Sequence, residues 1–154
     1  MYGAEMERAD VLVRLLGEEI RSKLGDEYQV NQNFLSASIE RADREPASMP
    51  ETPDLVVWNR RERVRPFIVE VKLYTGDSEL PLTTASQMVL IREANRIHNP
   101  VLILATNAKI GKLLRAELTA QDIEVVQSKT PGLWADSIAK IIRAKEANSN
   151  VQHY

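Results

Sequence analysis

The sequence predicts an α/β domain in which a mixed central sheet of about five strands is flanked by helices, in the order α-β-β-β-α-β-α-β-α. Three observations carry this expectation. A long stretch near the start repeats apolar residues at helical spacing. Two dense apolar runs separated by a polar turn read as a β-hairpin. From Thr83 onward, helical patterns alternate with short apolar runs, as strands joined by helical crossovers do. Strands that begin as a meander and continue through crossovers imply a mixed sheet, and the right-handed rule for parallel crossovers limits how it winds.

The first element is a helix from Glu5 to Leu24. Leu12, Leu16, Ile20 and Leu24 recur on one face, Ala9, Val13 and Leu15 widen the stripe, and Gly25 is a natural stop. Tyr28–Leu35 reads as a strand. Residues 36–52 mix charges with Pro46 and Pro50 and show no periodicity, so a flexible loop is expected. Asp54–Trp58 and Phe67–Leu73 form the hairpin arms around the basic turn Asn59–Arg65. Thr83 or Thr84 is expected to cap a helix running to His98, with Pro100 ending it. Val101–Ala105 reads as a buried strand, Ala108–Leu118 as a helix, Ile123–Val126 as a strand and Leu133–Ala147 as a last amphipathic helix. The tail 148–154 is expected to be disordered.

Residues 1–154 are expected to form a single domain. With 44% hydrophobic and 27% charged residues, the composition is that of a globular chain rather than a fibre or a disordered tail. Cysteine is absent, which removes disulfides, thiolate zinc sites and iron–sulfur clusters together and suits a cytoplasmic protein. Ala4–Leu24 carries charges every few residues and reads as neither signal peptide nor membrane span. The net charge of −2 lacks the basic balance common in nucleic-acid binders. Such binding would therefore need a local patch, or a divalent cation cancelling the protein's own carboxylates.

The chemistry concentrates in the hairpin. Pro53-Asp54 opens one arm and Glu70-Val71-Lys72 sits late in the other. Alternation sends Glu70 and Lys72 to one face, and antiparallel pairing brings the start of the first arm beside the end of the second. Two carboxylates and an ammonium thus gather at one end of an apolar sheet. Hard oxygen ligands of this kind suit magnesium, which takes one or two carboxylates and keeps several waters. Such a cation polarises a phosphate oxygen and lowers the pKa of a bound water, while a neighbouring lysine offsets charge growing on the phosphorane.

This arrangement, followed by a helix bearing Gln87 and then a buried strand at Val101–Ala105, resembles the PD-(D/E)XK nuclease superfamily. In pattern it is closest to archaeal Holliday junction resolvases and to RecB-like and Mrr-like nucleases. The resemblance spans Leu12 to Val126. It implies a restriction-endonuclease-like core and a Mg2+- or Mn2+-dependent endodeoxyribonuclease, an endonuclease or a junction- or branched-DNA-cleaving enzyme, with the form of the nucleic acid left open. It further implies that Asp54 and Glu70 bind the metal with the Val71 carbonyl, that Lys72 serves the attacking water or the transition state, and that Gln87 borders the site. The family often adds an acid from the first helix. Glu5, Glu18 and Glu19 compete for this place, and Glu19, bordering the apolar stripe, is the choice. The alternative on the same fold is a catalytically inactive module for nucleic-acid binding or complex assembly.

The basic turn Arg60, Arg61, Arg63, Arg65 is the local candidate for phosphate contact, weighed evenly against a solvated hairpin end. Lys109, Lys112 and Arg115 recur at helical spacing but read more simply as a solvated face. Trp58 is expected in or beside the core. Neither His98 nor His153 has a partner at metal-ligand spacing. A homodimer would match cleavage of two strands or of a symmetric junction.

Overall fold

The structure is a computed structural model. It describes residues 2–32, 53–61 and 65–152, and for 2–9 and 149–152 the backbone alone. The expected loop 36–52 lies outside the described residues, as does Arg63.

Helix α1 spans Tyr2–Leu24. Among its described side chains, Val13, Leu16, Ile20 and Leu24 are the buried apolar ones, three or four residues apart, so one face meets the sheet. Gly17 lies on that face. A β-carbon there would stand 3.1 Å from Leu55 Cδ2 and 3.5 Å from Val30 Cγ1, so glycine lets the helix backbone approach the sheet closely. Leu15, expected in the apolar stripe, is instead exposed, because it points roughly opposite the centre of the buried arc. Gly25 stops the helix as expected. Its φ of 90° is left-handed, and its N–H donates to the Arg21 carbonyl at 2.9 Å.

The five strands are β1 (Tyr28–Gln32), β2 (Leu55–Asn59), β3 (Phe67–Lys72), β4 (Val101–Thr106) and β5 (Ile123–Gln127), and they lie side by side in sequence order. β1·β2 and β2·β3 are antiparallel, while β3·β4 and β4·β5 are parallel. Helices α2 (Thr83–Ala94) and α3 (Lys112–Ala120) make the two crossovers, and α4 (Trp134–Gln152) closes the chain. Two successive right-handed crossovers advancing the same way place both helices on one face of the sheet.

Strand alternation then divides the core in two. Leu55, Val57, Phe67, Val69, Val71, Val101, Ile103 and Ala105 pack with α1 and α4. Val56, Ile68, Leu102 and Leu104 pack with Met88 and Ile91 of α2 and Leu114 and Leu118 of α3. The result is a three-layer α/β/α arrangement in which β3 and β4 are covered on both faces, which is why they read as nearly continuous apolar runs.

Several boundaries depart from expectation for visible reasons. Neither Thr83 nor Thr84 caps α2. Leu82 occupies the cap position without a side-chain bond, and the Thr84 N–H donates to the Pro81 carbonyl, so a proline turn starts the helix. α2 ends at Ala94 and gives way to a 3-10 turn, Arg96–His98. The third helix begins at Lys112 rather than Ala108, because Lys109 is drawn into a parallel bridge with Glu79. Lys109 is therefore not on that helix, and its spacing with Lys112 and Arg115 defines no face. α4 continues to Gln152, past the expected start of the tail at 148. Trp58 is half-buried beside the α2 core and meets His98 edge-to-face at 5.4 Å.

Gly17→Val should destabilise the fold by about 1–3 kcal/mol through overpacking against Leu55, read as a lower urea midpoint. An unchanged midpoint would show that α1 can lift without cost.

Candidate active site

Pro53 has no N–H with which to extend a ladder, and β2 starts two residues later. Continuing the register Leu55↔Val69 by one residue sets Asp54 opposite Glu70. Here the carboxyls take over from backbone carbonyls. The Asp54 N–H donates to Glu70 Oε1 at 2.8 Å, and the Val71 N–H donates to Asp54 Oδ2 at 2.8 Å. The end of the hairpin is closed by the two acidic side chains. The Val71 side chain belongs to the α1/α4 core, but its N–H and carbonyl leave β3 along the edge facing Asp54.

Glu70 is buried at 5% exposure, and Asp54 and Lys72 are half-buried. Burial, and then the charge of Asp54, push the Glu70 carboxyl up to about 8. Burial also raises Asp54, against the Val71 hydrogen bond and the Lys72 ammonium, which both lower it. The two carboxyls hydrogen-bond each other as well. At neutral pH without a cation the pair therefore retains a proton, since two desolvated carboxylates in contact cannot both ionise cheaply.

Glu70, Lys72 and Gln87 line one cleft of about 240 Å³, completed by Met88, Leu90 and Ile91 of α2. The apolar wall limits water around Glu70, and the exposed Gln87 amide forms the rim. The cleft opens at the carboxyl end of parallel strands, where α/β sheets offer binding crevices. Among the described residues no three His, Asp or Glu side chains gather as a metal cage. The donor set is thus two carboxyls with a backbone carbonyl beside them, which fits a cation that keeps water ligands, such as magnesium, and not a zinc-type cage.

Other expected residues stand elsewhere. Arg60, Arg61 and Arg65 lie at the opposite end of β3, with Arg65 about 23 Å along the strand from Lys72 at the usual rise. Arg65 donates to the Asn99 carbonyl at 2.6 Å, and Arg61 pairs with Glu27 at 3.3 Å. These contacts tie the far edge of the sheet together. Arg60 is exposed there, its N–H on the Glu27 carbonyl. Glu19 is an exposed residue of α1, and no described contact joins it to Asp54, Glu70 or Lys72. The α1 acid whose charge acts on Asp54 is Asp10. Asp10 lies two turns before Gly17 and so shares the side on which α1 meets the sheet, which the sequence alone did not reveal. The side chain of Glu5 lies outside the described residues.

Thr106 and Asn107 were not foreseen. Thr106 is fully buried and donates to the Lys72 carbonyl at 2.7 Å. The Asn107 amide holds both backbone polar groups of Tyr74. Isolated polar residues after an apolar strand carry no sequence signal for such a role.

Comparison with protein-family models, with curated proteins and with solved structures found no match for this chain. Among the described residues, no helix is long and apolar enough to cross a membrane.

The raised carboxyls have a consequence for stability. Between its ordinary value of 4.5 and about 8, folded Glu70 holds a proton that the unfolded chain has released. Its contribution is therefore fully present below the lower value and is lost as pH rises through the upper one; Asp54 acts in the same direction. Without divalent cations, the thermal midpoint should fall between about pH 5 and pH 8.5. Glu70→Gln should flatten that decline. An equal decline in both proteins would remove Glu70 as its source.

Proposed function

We propose that this chain is a metal-dependent nuclease of the PD-(D/E)XK type, hydrolysing phosphodiester bonds in DNA. The observation that carries the reading is the buried pair Asp54/Glu70, each carboxyl accepting a backbone N–H at 2.8 Å, with Lys72 one turn of the pleat further along at the carboxyl end of a doubly covered strand. A pair of carboxyls that burial pushes up despite the Lys72 ammonium is a site where a divalent cation can replace a proton. Mg2+ or Mn2+ bound there would supply Lewis acidity and an activated water.

The chain's own residues have separable tasks. The Val71 and Asp54 N–H groups fix one oxygen of each carboxyl, so little ordering remains when a ligand arrives. The Lys72 ammonium, close enough to lower both acids, stabilises charge developing on the phosphoryl oxygens. Gln87 offers a donor and an acceptor at the rim, for a water or a phosphate oxygen. Two of the chain's negative charges are consumed at this site, so the net charge of −2 does not describe the surface a phosphate meets once a cation is bound.

Purified protein should cleave duplex, single-stranded or branched DNA only when magnesium or manganese is present. Asp54→Ala and Lys72→Ala should each lower the rate about 100-fold or more, with circular dichroism unchanged. Full-rate cleavage by Asp54→Ala would sink the assignment.

Calorimetry at neutral pH should show manganese binding whose heat varies with the ionisation enthalpy of the buffer, because binding releases the proton of the pair. Heat independent of the buffer would place the cation elsewhere.

A further inference from the structure

We infer that Tyr74 is a stacking platform for a nucleobase beside the phosphate to be cut, so that the strand engaged here is unpaired at that position. This rests on the nuclease reading and names the form of its substrate.

The backbone after Lys72 does not turn away from the sheet at once. Thr106 donates to the Lys72 carbonyl at 2.7 Å and accepts the Ala108 N–H at 3.0 Å. Asn107 then accepts the Tyr74 N–H at 2.9 Å and donates to the Tyr74 carbonyl at 2.7 Å. Side chains thus carry the Lys72↔Thr106 pairing two residues past the end of the strand. Alternation sets Tyr74 on the face that bears Glu70 and Lys72, about 7 Å along from Lys72.

Both backbone polar groups of Tyr74 are fixed, yet the residue is 36% exposed. Here the chain orders the backbone and keeps about a third of the residue open to solvent, two residues past Lys72. Exposed Lys109 and Lys112 follow β4 at the same sheet edge, because β3 and β4 are parallel, and they offer positive charge to a backbone passing there. An aromatic face next to cations is the surface that unpaired strands use, since every base presents a π-face. A base within a duplex would first have to leave its stack.

Steady-state cleavage of single-stranded, branched and duplex DNA should be compared for the wild type, Tyr74→Ala, Tyr74→Phe and Tyr74→Trp. Tyr74→Ala should raise KM about tenfold on the unpaired substrates and leave kcat and duplex cleavage nearly unchanged, while the aromatic variants retain wild-type KM. In parallel, metal-free protein should be titrated into an oligonucleotide carrying 2-aminopurine. The wild type and Tyr74→Phe should quench its fluorescence, and Tyr74→Ala should not. Equal KM and equal quenching for Tyr74→Ala overturn the inference, as does a Phe variant as defective as Ala. If the wild type cleaves nothing, the nuclease reading fails while the titration still decides the role of the ring. Quenching that requires an aromatic residue keeps Tyr74 as a base-binding surface, and its absence removes it.

Discussion

Where the β2·β3 ladder ends, Asp54 and Glu70 replace carbonyl acceptors with carboxyls, each receiving a backbone N–H at 2.8 Å. The rest of the site depends on this exchange. It terminates the hairpin without leaving buried donors unpaired, a loss that ordinarily costs about 1–3 kcal/mol per group. It also holds two acids in contact where water is scarce, so that a proton stays on the pair near neutral pH. A structural need at a strand end and a chemical capacity are met by the same atoms.

Topology decides what else can reach that pair. β3 is covered by α1 and α4 on one face and by α2 and α3 on the other, leaving only its ends accessible. Because β3, β4 and β5 run parallel, the segments that follow them all emerge at the carboxyl edge. Gln87 reaches the cleft from α2, which follows β3, and Thr106 and Asn107 reach the backbone beyond Lys72 from β4. Among the described residues, Arg60, Arg61 and Arg65 stand at the other end of β3. They sit at the other edge, where Arg61 and Arg65 bond to Glu27 and Asn99. The Arg61 and Arg65 side chains thereby serve local attachment at the edge remote from the cleft.

That far edge has its own polar closure. Glu146 of α4 accepts hydrogen bonds from Tyr28 and Asn59, tying the last helix to β1 and β2, and burial raises its carboxyl. Lys23 and Asp136 pair at 2.7 Å between α1 and α4, though both are too exposed for the pair to contribute much. The layer opposite the cleft is therefore held chiefly by apolar packing around Ile20, Ile103, Trp134 and Ile138.

The sequence by itself determined the order of elements and the Asp54/Glu70/Lys72 grouping, because both follow from local periodicity and from hairpin register. Alternation and antiparallel pairing leave little freedom once the two apolar arms are recognised. Local signals failed where non-local contacts outweigh them. Ala108–Ile110 has helical composition, yet the Glu79↔Lys109 bridge and its bonds through Ser78 and Leu80 hold it extended. The apolar stripe left Glu5, Glu18 and Glu19 competing for the first-helix acid, with Glu19 chosen, while the α1 charge that acts on Asp54 is that of Asp10. Only the tertiary structure could decide these points, and with them the clamp on Tyr74, because each depends on how one element is rotated or extended against another, which no repeat within a single segment encodes.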